Sequence, residues 1–159
     1  MAAVEKSAEA GVKAANAERQ RAIGLLSKAS RTELQSAFDA LGDKPDVQPV
    51  RGPETGLVMV RGRIGGGGAP FNLGEATVSR ASIRLDDGTV GHGQTLGTDG
   101  AKARLAAIFD ALFQQRDRKT EVEMLLAAIA ARVVAEDAAK TRQAAATRVD
   151  FFTMVRGED

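Results

Sequence analysis

The chain has 159 residues, 43% hydrophobic and 27% charged, with 22 Lys and Arg against 21 Asp and Glu and a formal net charge of +1. That is one domain's length with room for a sizeable core, and a charge balance this close lacks the basic excess that nucleic-acid and anionic-membrane binders need. There is no cysteine, which excludes disulfides, thiolate catalysis and cysteine-ligated metal centres, and with six Phe, no Trp and no Tyr the core must be aliphatic.

The opening residues, Met1 to Gly11, carry Glu5 and Glu9 and no apolar block, unlike a secretory signal. Apolar residues first recur at helical spacing at Ile23, Leu26 and Ala29, which predicts a helix from about Ala14 to Ala29. Ser30 and Glu33 have the spacing of a capping box and should open a second helix. Leu34, Ala37, Phe38 and Leu41 form its apolar stripe, and Gly42 suits its C-terminal stop.

Thirteen of the 17 Gly lie between Gly52 and Gly100, and all four Pro between Pro45 and Pro70, so the middle of the chain should be strand and turn. Gly56–Ile64 reads as a strand of β-branched and long aliphatic residues. In Gly74–Leu85, Thr77, Ser79, Ala81, Ile83 and Leu85 share one face, and Arg80, Ser82 and Arg84 the other. Asp86-Asp87-Gly88 is a hairpin turn, and Thr89–Leu96 returns as the partner strand. An antiparallel meander with one covered face follows.

The last third is helical. Thr98 or Asp99 can cap a helix bearing Leu105, Ile108, Phe109, Leu112 and Phe113. Thr120 and Glu123 have capping-box spacing before a long Ala-rich helix with Leu125, Leu126, Ile129 and Val133 on one side. Glu136 and Lys140 stand in the favourable i,i+4 order. Its longest aliphatic run, Met124–Ala131, is far short of a membrane span, so a soluble cytoplasmic protein is expected. The predicted fold class is α+β: an N-terminal helical hairpin, a central antiparallel sheet of three or four strands, and C-terminal helices, all in one domain spanning 1–159.

Residues able to carry chemistry are few. The run Gly65–Gly68 could cradle an anion on bare amides, but no Lys-Ser or Lys-Thr follows it, and a connection between strands is the plainer reading. His92, the only histidine, lies between Gly91 and Gly93; it could act as a general base or bind a partner-borne metal, against a plainer structural role. With no second histidine and no cysteine, this chain is not expected to hold a transition metal of its own. Arg61, Arg63, Arg80 and Arg84 form two i,i+2 pairs that would make a phosphate-binding patch if the strand register joined them; a solvated face is the alternative. The tail Val149–Val155 holds Phe151, Phe152 and Met154 with no polar face, suiting either internal packing or docking on another chain.

Several long segments resemble the PhnG subunit of bacterial carbon–phosphorus lyase. They are Arg51-Gly-Pro-Glu-Thr-Gly-Leu-Val-Met-Val-Arg-Gly-Arg63, Gly68-Ala-Pro-Phe-Asn-Leu-Gly-Glu75, Gly88-Thr-Val-Gly-His-Gly93 and Ala146-Thr-Arg-Val-Asp-Phe-Phe-Thr-Met-Val-Arg-Gly157. The resemblance runs from about Arg19 to Gly157; residues 1–18 lie outside it and are a candidate for disorder. It implies a subunit that acts with the PhnH, PhnI and PhnL proteins to move ribose 5-triphosphate from ATP to methylphosphonate with release of adenine. It also implies a core assembly of PhnG, PhnH, PhnI and PhnJ, with PhnI the direct contact and the radical iron–sulfur chemistry on PhnJ. No catalytic residue carries over to this chain, and no cofactor is expected in it, ATP being a substrate of the complex. Arg80, Arg84 and His92 are the candidates for touching the triphosphate, and Phe151, Phe152 and Met154 for meeting a partner. The alternatives are a chain that contributes substrate-binding groups directly and an independent small-molecule-binding domain.

Overall fold

The computed structural model describes residues 2–63 and 67–146, with backbone alone for 2–10. Two helices, α1 (Ala2–Lys28) and α2 (Arg31–Ala40), precede three strands, β1 (Val47–Gly62), β2 (Phe71–Leu85) and β3 (Val90–Leu96). Two more helices follow, α3 (Gly100–Gln114) and α4 (Lys119–Ala146). The strands form one antiparallel sheet in the order β1-β2-β3, the α+β meander expected from the sequence.

Helix α3 is the centre of the packing. It touches all three strands and the other three helices, and Ala103 and every residue from Leu105 to Phe113 are buried. A helix surrounded in this way must be small or apolar on every face, and its Ala, Leu, Ile and Phe content meets that demand. Asp99 caps it by accepting from the Lys102 amide at 2.9 Å. Below it, Ala81, Ile83 and Leu85 of β2 face inward, joined by Ala22, Leu26 and Ala29 of α1, Leu34 and Leu41, and Val122, Leu126 and Ile129 of α4.

The approach of α3 to β3 is set by two glycines. A Cβ on Gly91 would run into the Ala107 carbonyl oxygen and, at 2.8 Å, the Ala111 Cβ. One on Gly93 would meet the Ala103 carbonyl oxygen and lie 2.5 Å from the Ala107 amide nitrogen. Helix backbone thus rests directly on strand backbone, with small residues on both sides of the contact.

The outer edge of β3 is covered by side chains at Val90 and His92. Buried Asp110 accepts the His92 amide at 2.8 Å and a two-pronged pair from Arg19, Nε at 2.9 Å and Nη2 at 2.7 Å. The Val90 carbonyl accepts from Gln114 Nε2 at 2.9 Å and from Arg19 at 3.3 Å. Two of the backbone groups that would otherwise template another strand, the Val90 carbonyl and the His92 amide, are thereby satisfied. The Asp110 carboxylate raises the Arg19 pKa still further above its ordinary value, opposed by partial burial.

A second cluster ties the helices at the other end. Ser30 and Glu33 form the expected capping box. Arg132 of α4 grips both Glu33 oxygens, at 2.6 and 3.0 Å, and also donates to Glu136 and to the Lys28 carbonyl at the end of α1. The Arg132 hydrogen bond is the main reason the Glu33 carboxyl titrates below its ordinary value, with the Ser30 amide adding to it against partial desolvation.

Several local expectations are corrected. Helix α1 begins at Ala2, well before Ala14, because the Ala-rich opening contains no proline to stop it. Helix α2 ends at Leu41 in an extended conformation, and Gly42 does not take the left-handed one. Strand β1 starts at Val47, nine residues before Gly56. Pro49 and Pro53 are accommodated because β1 is an edge strand whose register shifts between Pro49 and Arg51 and between Arg51 and Glu54. Thr120 and Glu123 do not cap α4, which begins at Lys119 with its amide bonded to Gln115; Glu123 lies 3.9 Å from Lys119 instead. Glu136 bonds back to Arg132 at 2.7 Å rather than forward to Lys140.

Three stability measurements follow from these contacts. Gly93→Ala should lower stability by about 3 kcal/mol or more through overpacking against rigid backbone, while Gly56→Ala, with nothing within 4 Å of the new Cβ, should change it little; denaturant midpoints compare the two. Arg19→Ala should cost about 3 kcal/mol, the low end for breaking a buried pair, because the Arg19 side chain keeps 31% of its surface in water. The Glu33 contribution is fully present above its ordinary pKa of 4.5 and is lost as pH falls through its lowered folded value. The melting-temperature gap between wild type and Glu33→Gln should therefore narrow as the pH drops below about 4.

Candidate functional site

The face of the sheet turned away from α3 is polar, and the strand register fixes its pattern. Glu54, Arg80 and Gln94 lie in one row across the three strands, and Arg51, Ser82 and His92 in the next. Gln48 and Arg84 continue it beside Val90. The alternation seen in the sequence accounts for this: Ser79, Ala81, Ile83 and Leu85 are buried while Arg80 and Arg84 are exposed. The structure therefore brings Arg80, Arg84 and His92 onto one surface.

His92 owes its orientation to its neighbours. Gly91 and Gly93 are buried under α3, which turns the intervening side chain outward. Its Nδ1 lies 2.9 Å from the Ser82 hydroxyl across the strand pair, and its main-chain amide is held by Asp110. If the hydroxyl donates, the ring proton sits on Nε2, leaving a donor available to an anion. The glycines are thus structural, and the histidine between them is displayed.

The three arginines of this face differ in how far they are neutralised. Arg51 and Arg80 both reach Glu54 Oε1, at 2.8 and 2.5 Å. Arg80 is the main reason the Glu54 carboxyl titrates below its ordinary value, opposed by desolvation and reinforced by Arg51. Arg84 meets only the Gln48 amide oxygen, at 3.4 Å, and among the described residues has no carboxylate within ion-pair reach. Three cations and one anion leave this patch with a net charge of +2.

The four-arginine patch does not form. Arg61 pairs with Asn72 on β2, whereas Arg80 pairs with Glu54, eight residues further along that strand. At the strand rise, that separation is about 26 Å. Of the Gly65–Gly68 run, Gly67 and Gly68 lie in the connection between β1 and β2, and Gly65 and Gly66 are outside the described residues. Phe151, Phe152 and Met154 also lie outside them.

Sequence reasoning missed a second feature, a cleft of about 650 Å³ between the end of α1, the β2–β3 edge and α4. Thr95 and Lys102 line it. Among the described residues, Thr95 Oγ1 is the buried side-chain polar atom without a hydrogen-bond partner. Burial is the main cause lowering the Lys102 pKa, and its ammonium donates to the Ser27 carbonyl at 3.1 Å. The one available signal was Thr95 itself, a polar residue with the inward parity of Gly91 and Gly93.

Among the described residues, no group of three or more His, Cys, Asp or Glu side chains is placed to hold a metal ion. No described helix is long and apolar enough to cross a membrane.

Comparison with known proteins gives this surface a context. Residues 17–157 match the family described as "Phosphonate metabolism protein PhnG". The chain is also 64% identical, over 159 residues and 99% of the relative's length, to a protein of Rhizobium meliloti (strain 1021). That relative is the alpha-D-ribose 1-methylphosphonate 5-triphosphate synthase subunit PhnG. A match over 141 residues (17 to 157) and end-to-end identity at this level leave one conclusion: the chain belongs to the PhnG family of phosphonate metabolism proteins.

Proposed function

We propose that this chain is a cytoplasmic subunit of the synthase that makes ribose 1-methylphosphonate 5-triphosphate from ATP and methylphosphonate. In that reaction an oxygen of methylphosphonate becomes bonded to ribose C1′ as the bond from C1′ to the adenine nitrogen breaks, and adenine leaves. The observation carrying this reading is the 64% identity, over the whole chain, to a protein named as a subunit of that synthase. The partners are the PhnH, PhnI, PhnJ and PhnL proteins, with PhnI in direct contact. This chain organises the assembly and is not catalytic alone: its lone histidine and unopposed Arg84 do not amount to a nucleophile, base and oxyanion site.

A second reading is favoured by the open sheet face. Arg84, with Ser82 and His92 beside it, suits a polyanion, because guanidinium and imidazole donors match phosphate oxygens. In this version the face meets the triphosphate of ATP within the assembled complex. Arg84→Gln separates the two readings without stranding a buried charge. In the reconstituted complex, with adenine release measured against ATP concentration, the organising role predicts turnover and KM within about twofold of wild type. Direct contact predicts a KM for ATP raised about tenfold, as expected for losing one charged hydrogen bond of roughly 1.4 kcal/mol, with assembly intact. A complex lacking this chain but retaining full adenine release would refute both.

A further inference from the structure

The β1–β2 pair continues beyond the body of the protein. β3 begins to pair with β2 only at Val78, so Phe71–Ala76 has no third strand beside it, and neither does the matching part of β1. What projects is a two-stranded arm, Leu57–Gly62 with Phe71–Thr77. Leu57 and Met59 lie opposite Thr77 and Glu75 on one face; Val58 and Val60 lie opposite Ala76 and Gly74 on the other. Apolar side chains therefore stand on both faces. Leu57 is 64% exposed, Met59 and Leu73 are each 59% exposed, and Val58, Val60 and Phe71 are exposed too.

An isolated two-stranded ribbon is marginal in water, and exposed apolar side chains on both of its faces call for cover on both. Charge decides what covers them. From Thr55 to Ala76 the ionisable residues are Arg61, Arg63 and Glu75, a net charge of +1, and among the described residues none of the three has an ion-pair partner. Two copies meeting arm to arm would bring four guanidinium groups against two carboxylates, and the surplus of like charge opposes association. A different chain with acidic groups at the mouth of an apolar cleft gains on both counts.

We propose that the arm inserts into an apolar cleft, rimmed by acidic side chains, on another subunit of the synthase, and that this insertion is the principal contact holding the chain in the complex. The proposal rests on the subunit reading above. It places the interface on the β1–β2 arm rather than on the open sheet face that carries Arg84 and His92.

The test uses the full-length chain, tagged and co-expressed with the other synthase subunits, with retention and size-exclusion profiles as readouts. Two double variants are compared with wild type: Leu57→Asp with Met59→Asp, which removes apolar contact, and Arg61→Glu with Arg63→Glu, which reverses charge. Circular dichroism and melting of each chain alone confirm that the body folds. Both variants should lose at least tenfold in affinity for the complex, and wild-type association should weaken as salt rises. Hydrogen exchange across residues 54–77 should slow on assembly. Variants that assemble at wild-type affinity, with exchange in the arm unchanged, overturn the arm while leaving the subunit reading standing. A wild-type chain that fails to bind the other subunits refutes the subunit reading and this proposal with it. A wild-type dimer of the chain alone that the Leu57→Asp, Met59→Asp variant converts to monomer assigns the arm to a second copy and likewise overturns the proposal.

Discussion

The contact of α3 with β3 governs the rest of the molecule. With no side chain at Gly91 or Gly93, the helix settles onto the strand until the Ala103 and Ala107 carbonyls occupy the space a Cβ would need. That closeness brings Asp110 within 2.8 Å of the His92 amide. The carboxylate can lie fully buried there because Arg19 and the strand amide supply donors to it. One short sequence, Gly91-His92-Gly93, therefore docks the central helix and blunts the sheet edge. It also aims the only histidine at solvent.

Much of the fold was legible because its signals are local. The Ser30–Glu33 box, the Asp86-Asp87-Gly88 turn with Gly88 at φ 87°, and the alternation through Thr77–Leu85 each need only a few neighbouring residues to declare themselves. What failed needed knowledge of position in the sheet. Proline argues against a central strand, and only the finding that β1 lies at an edge with two register shifts explains how Pro49 and Pro53 fit within it. The Thr120–Glu123 spacing misled for a related reason: the turn after α3 is tight enough that the Gln115 carbonyl bonds the Lys119 amide and starts α4 before a cap is reached.

The candidate site was legible in part. Period-two alternation was enough to place Arg80, Arg84 and Ser82 on one face. The register that sets His92 opposite Ser82 and separates Arg61 from Arg80 is a long-range property, fixed by the hairpin turn on one side and by the bulges of β1 on the other. The neutralisation of Arg80 by Glu54 was equally hidden, since those residues are 26 apart in sequence. The cleft lined by Thr95 and Lys102 needs five elements, α1, β2, β3, α3 and α4, to come together, and a single polar residue on an inward parity is a faint mark of it.

The two edges of the sheet are treated in opposite ways, and that asymmetry orders the molecule's surfaces. At β3, Asp110 takes the outward His92 amide, and Arg19 and Gln114 cover the Val90 carbonyl, which blunts that edge for pairing. At the far side, β1 and β2 run on together past the end of β3 with apolar side chains on both faces. The Arg51–Glu54–Arg80 cluster sits at the boundary between body and arm, holding the strands across the register shift between Arg51 and Glu54. Because each strand is continuous through that boundary, the register set by α3 packing in the body also fixes which side chains the arm presents on each face. A slip of one residue would exchange Leu57 and Met59 for Val58 and Val60 and move Arg80 and Arg84 to the buried side. The orientation of the arm and the exposure of the arginine face are thus one structural decision, made where α3 rests on Gly91 and Gly93.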